Sequence, residues 1–281
     1  MRHRYVGWAA LFALMALGVQ ACGGSPLATP DRGDIKVVYD HIEDRHEAAV
    51  NTVRQAKVLE NAAADVNSRV RLRRNIWIEV TDDLPKEVDA ASFLPANRTL
   101  FIPASFIDEV SHQMAGPEAA AVTGINDPAA LTVGSIRYVT YRELGLILTQ
   151  QFILPVPGGG EANEKAADDF AALMTAQEGA GAVPADASVL FIHLSGQPKK
   201  DVDEQRVYAK ENGLNAERLR HFACIVLGSN PTDFRTALVD TGPVPAADAG
   251  SCPQEFAAAA ARWNRYMRPY VRAGAPPFGT A

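Results

Sequence analysis

Thr140-Tyr141-Arg142-Glu143-Leu144-Gly145-Leu146-Ile147 lies inside an apolar-rich segment with helical spacing. Arg142 and Leu146, four residues apart, therefore share one helix face, with Glu143 beside the first of them. A His-Glu-x-x-His segment uses this spacing to place two imidazoles on zinc, while its Glu activates a water. Here an Arg and a Leu stand where the imidazoles would be, and the Glu remains. Further on, Glu164-Lys165-Ala166-Ala167-Asp168 puts two carboxylates one helical turn apart on one face.

The surrounding pattern is mixed. Asp127-Pro128 suits a helix start, and the helix it opens, over 129–151, turns Val133, Ile136, Val139, Leu144, Ile147 and Leu148 inward, which predicts a central helix. Leu154-Pro155-Val156-Pro157 and Gly158-Gly159-Gly160 interrupt the chain before an Ala-rich helix over 161–176. Upstream, strands are predicted at 35–39, 75–80 and 98–102, a single long amphipathic helix at 45–70, a helix from Ser105 to Met114 and a loop over 115–128. Downstream come a loop over 179–186, an exposed turn at 198–201, helical pattern over 202–227 broken at Asn212-Gly213, and a last helix over 255–270 carrying Trp263. The expected class is α+β, mostly helical with a small sheet.

With 47% hydrophobic and 21% charged residues among 281, the chain has ample apolar content to bury a core, and global disorder is excluded. Arg2, His3 and Arg4 precede an apolar run that is too short to span a bilayer comfortably, the form of a secretory signal over 1–21. The run ends in Leu17-Gly18-Val19-Gln20-Ala21-Cys22-Gly23-Gly24-Ser25, which resembles a bacterial lipobox with Cys22 as the lipidated terminus. A plain signal with an incidental Cys22 is the competing reading. Residues 22–33, rich in Gly, Pro, Ser and Asp, read as a flexible tether, 34–272 as one folded body, and 273–281 as a disordered tail. Loss of Arg2 and Arg4 with the signal takes the net charge from -6 to about -8, which argues against nucleic acid as a partner. Once Cys22 is set apart, Cys224 and Cys252 form an even pair in an exported, oxidising setting, expected as a disulfide; two separate buried thiols are the alternative. Closing that loop contributes about 3 to 4 kcal/mol in the chain-entropy account. His41 and His46 are five apart and do not share a helix face, so no metal role is assigned to them.

The ordered segments resemble a family of bacterial metallopeptidase-like proteins, the domain of unknown function 4344 family. The resemblance rests on Arg142-Glu143-Leu144-Gly145-Leu146 at the place of a His-Glu-Leu-Gly-His pattern, on Leu154-Pro155-Val156, and on Glu164-Lys165-Ala166-Ala167-Asp168-Asp169-Phe170-Ala171. Asp203-Glu204-Gln205-Arg206-Val207-Tyr208, Cys224-Ile225-Val226-Leu227-Gly228-Ser229-Asn230-Pro231 and Cys252-Pro253-Gln254-Glu255-Phe256 with Trp263 extend it over most of the mature chain. It implies a zincin-like fold with a central protease-type helix. It also implies Glu143 as a vestigial general base, Glu164 as a vestigial third metal ligand and Asp168 as the acid behind the ligands, with Arg142 and Leu146 in the lost His positions.

Arg stays protonated and Leu has no donor atom, so no metal is expected and the helix is read as the relic of a catalytic site. His112, His193 and His221 lie on other elements and are expected, where buried, as hydrogen-bonded core residues. Without a divalent cation, Glu143, Glu164 and Asp168 would repel one another. Arg142 is therefore expected against Glu164 or Asp168, in place of the metal, and the competing placement is in solvent. The functional expectation is a catalytically inactive, lipid-anchored protein of the bacterial cell envelope, facing the periplasm or exterior, with a binding or scaffold role toward a protein or peptide. The alternative is an active zinc metallopeptidase with unconventional ligands.

Overall fold

The computed structural model of the chain describes residues 31–88, 90–177, 182–196, 208 and 213–280. The signal over 1–21, Cys22 and the turn expected at 198–201 lie outside the described residues. Four short strands, β1 (Ile35–Tyr39), β2 (Ile76–Thr81), β3 (Ser92–Leu94) and β4 (Thr99–Pro103), form one sheet in the order β1-β2-β4-β3. β1, β2 and β4 are parallel, with Ile35 opposite Ile76 and Trp77 opposite Thr99, while β3 runs antiparallel to β4. Parallel neighbours need a crossover; between β2 and β4 it is the segment 82–98, which carries β3, and between β1 and β2 it is helical. The class is α+β, as the pattern of elements predicts.

That crossover corrects one expectation. The helix predicted over 45–70 is two, α1 (Asp44–Gln55) and α2 (Val58–Arg69), separated where Lys57 adopts a left-handed backbone with φ of 51°. The kink buries Val50 and Val53 of the first helix together with Val58, Leu59 and Val66 of the second. An apolar period that continues across the break hides it in the sequence.

α3 (Ala104–Met114) follows β4, and the loop expected over 115–128 contains a further helix, α4 (Pro117–Thr123), opened by Pro117 and closed by Gly124 at φ of 69°. α5 (Pro128–Gln151) begins where Asp127 accepts a hydrogen bond from the Ala130 amide at 3.0 Å. It is buried on nearly every side from Leu131 to Thr149, which makes it the axis of the molecule. Around it pack α6 (Gly160–Gln177) and α7 (Ala182–Gly196), the latter starting inside the loop expected at 179–186. α8 (Ala216–Ser229), capped by Asn215, continues into a single turn, α9 (Pro231–Arg235), and α10 (Cys252–Met267) closes the fold.

Cys224 and Cys252 are disulfide-bonded with Cα atoms 4.9 Å apart, tying α8 to the start of α10. Gly228 permits the approach, because a Cβ there would sit 2.1 Å from the Cys252 carbonyl oxygen.

Both ends of the described chain are more ordered than the composition predicts. The tail over 273–281 is not disordered up to Thr280: Phe278 is 1% exposed, packs on Phe170 and Trp263, and exchanges two hydrogen bonds with the Asn264 side chain. One aromatic ring inserted among two others anchors a segment whose Gly and Pro content alone suggests a loose end. At the other end the tether stops short of residue 33. The Arg32 and Gly33 amides donate to the Leu72 carbonyl at 2.9 and 3.0 Å, and Asp31 pairs with Arg272 at 2.7 Å.

Candidate functional site

α5 and α6 come together because both present small residues at their crossing. A Cβ on Gly145 would lie 3.0 Å from the Ala167 Cα, so the glycine lets the Ala-rich helix settle against α5. This close crossing points Glu164 and Asp168 of α6 at Arg142 of α5. The Arg142 side chain is 0% exposed and spends its guanidinium on three acids. Nε donates to Asp168 Oδ1 at 3.1 Å, Nη1 to Glu143 Oε1 at 2.9 Å, and Nη2 to Glu164 Oε2. The guanidinium thus takes the place against Glu164 and Asp168 that the charge argument requires, and solvent does not reach it.

Two further groups join the cluster. Arg218 of α8 donates from Nε to Asp168 Oδ2 at 2.5 Å and stands 3.9 Å from Glu164. Tyr208, fully enclosed, donates to Glu143 Oε1 at 3.0 Å and lies with its ring 5.9 Å from the Arg142 guanidinium carbon. The sequence singles out neither as a site residue, because nothing local in 203–208 or 216–229 announces a partner so far along the chain.

The neighbouring acid makes a second cluster. Consecutive helical residues point about 100° apart. Asp169 therefore faces away from α5 and toward α8 and α10, where it accepts from Arg262 at 2.6 Å and pairs with His221 Nε2 at 2.7 Å. His221 is in this sense the hydrogen-bonded core residue that was expected. His112 is exposed beside Asp108 on α3, and His46 is buried against Asp82 at 3.0 Å.

Burial dominates the electrostatics. It pushes the Glu143 carboxyl up to about 7, against the opposing pull of Arg142 and the Tyr208 hydroxyl. Burial alone would also disfavour the charged form of Arg142, but Tyr208, Asp168 and Glu143 around it hold its pKa well above the usual arginine range. Tyr208 is itself raised by burial, with Glu143 adding to the shift. A raised carboxyl pKa in the folded state means that the native protein holds this proton more tightly than the unfolded chain. Stability from this group is thus fully present below about 4.5 and is lost as pH climbs through about 7. The Glu143→Gln variant should show a flatter fall in urea midpoint between those two pH values than the parent chain; parallel profiles would refute the assignment.

Among the described residues, the donor set around Arg142 does not fit a zinc ion. Leu146 is buried hydrocarbon four residues from Arg142, and each acid that a cation would need already faces a guanidinium nitrogen. Among the described residues, no three of His, Cys, Asp or Glu are disposed to hold a metal ion.

One protein family, the domain of unknown function 4344 family, described as "Putative metallopeptidase", matches residues 39–267. No curated protein matches the chain. Nor does any solved structure.

Proposed function

Because the chain belongs to this metallopeptidase family, we propose that it is a metallopeptidase-like envelope lipoprotein in which an arginine has replaced the catalytic metal, leaving a binding or scaffold role. The observation that carries the reading is Arg142, wholly buried and bonded to Glu143, Glu164 and Asp168 at once. A catalytic zinc site needs three protein donors and an open position for water. Here the guanidinium supplies the positive charge, and its fixed fork of donors engages the three acids in place of an ion. Without a metal-bound water to deprotonate, Glu143 has lost its part as a general base, and its Oε1 instead accepts from both Arg142 and Tyr208.

The remaining parts of the reading come from the sequence. Cys22 carries the lipid that holds the body to a bacterial membrane, facing the periplasm or exterior, and the partner is a protein or peptide rather than nucleic acid. Metal analysis of the purified mature chain together with a broad peptidase assay tests the central point. The expected result is zinc far below one equivalent and no hydrolysis. Stoichiometric zinc with turnover abolished by Glu143→Gln would overturn it in favour of an enzyme with unconventional ligands.

A further inference from the structure

The parallel strands start on one edge of the sheet, and that edge gathers arginines on an otherwise acidic chain. Arg32 and Gly33 pair with Leu72, Asp34 accepts at its carbonyl from Ile76, and Trp77 donates to the Arg98 carbonyl, so the segments before β1, β2 and β4 lie side by side. The C-terminal segment joins the same edge: the Arg71 amide donates to the Tyr270 carbonyl, and the Arg272 amide donates to the Arg69 carbonyl. Arg32, Arg73, Arg74, Arg265 and Arg268 are exposed there. The segments 69–75, 95–98, 152–157 and 265–280 contain no acid. The acids closest in the chain, Asp31 and Asp34, are both tied to Arg272, at 2.7 and 3.3 Å.

An apolar tip adjoins this basic face. Phe152 stacks on Tyr270 with ring centroids 4.1 Å apart, and the next residue, Ile153, is 88% exposed. Its φ is 48°, a conformation that a β-branched residue adopts only under strain. Beside it, Pro155, Pro157, Arg265, Tyr266, Pro269 and Tyr270 line a groove of about 380 Å³.

We propose that this face, with its arginines and the Ile153 tip, docks on the anionic headgroups of the membrane that holds the lipid. The proposal rests on the lipid-anchor part of the functional reading. Cys22 is nine residues before Asp31, so the acyl chains are within roughly 30 Å of the patch even when the tether is extended. The tether enters the body at Arg32, on the basic edge itself, and therefore draws this face toward the bilayer before any other. Arginine near an anionic surface favours binding, and a single exposed isoleucine with flanking tyrosines reaches the interfacial layer.

The test uses the mature chain from residue 22 with Cys22→Ser, which has no acyl group, and follows its sedimentation with lipid vesicles. Binding is expected to vesicles of phosphatidylcholine containing about 30% phosphatidylglycerol, to be lost in high salt, and to be absent on phosphatidylcholine alone. The pair Arg73→Glu and Arg74→Glu should lower partitioning by about tenfold or more, whereas Arg45→Glu, at the opposite edge of the sheet, should leave it unchanged. Ile153→Gly should raise the unfolding midpoint by relieving strain while weakening vesicle binding, opposite directions that a purely structural residue would not show. Equal binding to both vesicle types, or charge reversal at Arg73 and Arg74 without effect, would overturn the proposal. Failure of the lipid anchor itself is read separately, by the absence of labelled fatty acid on Cys22 in cells producing the full chain.

Discussion

Arg142→Ala should lower the free energy of unfolding by about 3 to 5 kcal/mol at neutral pH, the range for removing one partner of a buried ion pair. The loss comes less from the bonds themselves than from what they leave behind. Glu143 and Asp168 are buried and Glu164 is partly buried, and among the described residues Arg218 is the cation that would still face two of them. Like charges in a desolvated site raise one another's pKa, so the folded variant would take up protons that the unfolded chain does not hold. Linkage then fixes the sign: the deficit should be largest at pH 7 to 8 and should shrink toward pH 5, where protonation relieves the repulsion. Arg142→Lys keeps the charge but gives up the fork geometry, and should fall between the parent and Arg142→Ala. Urea unfolding at two pH values measures all three. A deficit under about 1 kcal/mol, or one independent of pH, would mean that the acids do not depend on this guanidinium.

The same cluster shows what the sequence reveals and what it conceals. Arg142 against Glu164 and Asp168 is legible because both helices announce themselves by period, and electrostatics allows few solutions once three acids and one cation are brought together. The central position of α5 is legible for a similar reason, since a helix apolar on nearly every face must be enclosed. Tyr208, Arg218 and the Asp169 cluster are not legible: His221 and Arg262 lie 52 and 93 residues from Asp169, and no local pattern encodes that distance. Tertiary packing also overrode local signals at Lys57, where a non-glycine residue takes a left-handed turn, and at Phe278, whose ring anchors a Pro- and Gly-rich segment. The basic edge escaped for another reason. Its five exposed arginines are spread over three distant segments of an acidic chain, and net charge averages them away.

The most demanding prediction restores what the helix lacks. The double substitution Arg142→His with Leu146→His removes the guanidinium and places two imidazoles four residues apart on α5, one turn of the same face. Glu164 is within reach of position 142, since it already bonds the side chain there, and Asp168 touches the same side chain from one turn further along α6. Three protein donors and a carboxylate behind them suffice for zinc, so the double variant should retain close to one equivalent after dialysis where the parent retains almost none. Each single variant should bind far more weakly, because one imidazole and one carboxylate leave the site two ligands short of a closed tetrahedron. Arg218, 3.9 Å from Glu164, would still compete for that carboxylate, so the further change Arg218→Gln should tighten zinc binding. Zinc should also recover the stability lost on removing Arg142, since a ligand bound only by the native state stabilises it. If the double variant takes up no zinc although it folds, then α5 and α6 do not cross at the spacing a metal requires, and the buried arginine is part of a different architecture rather than a substitute for the ion.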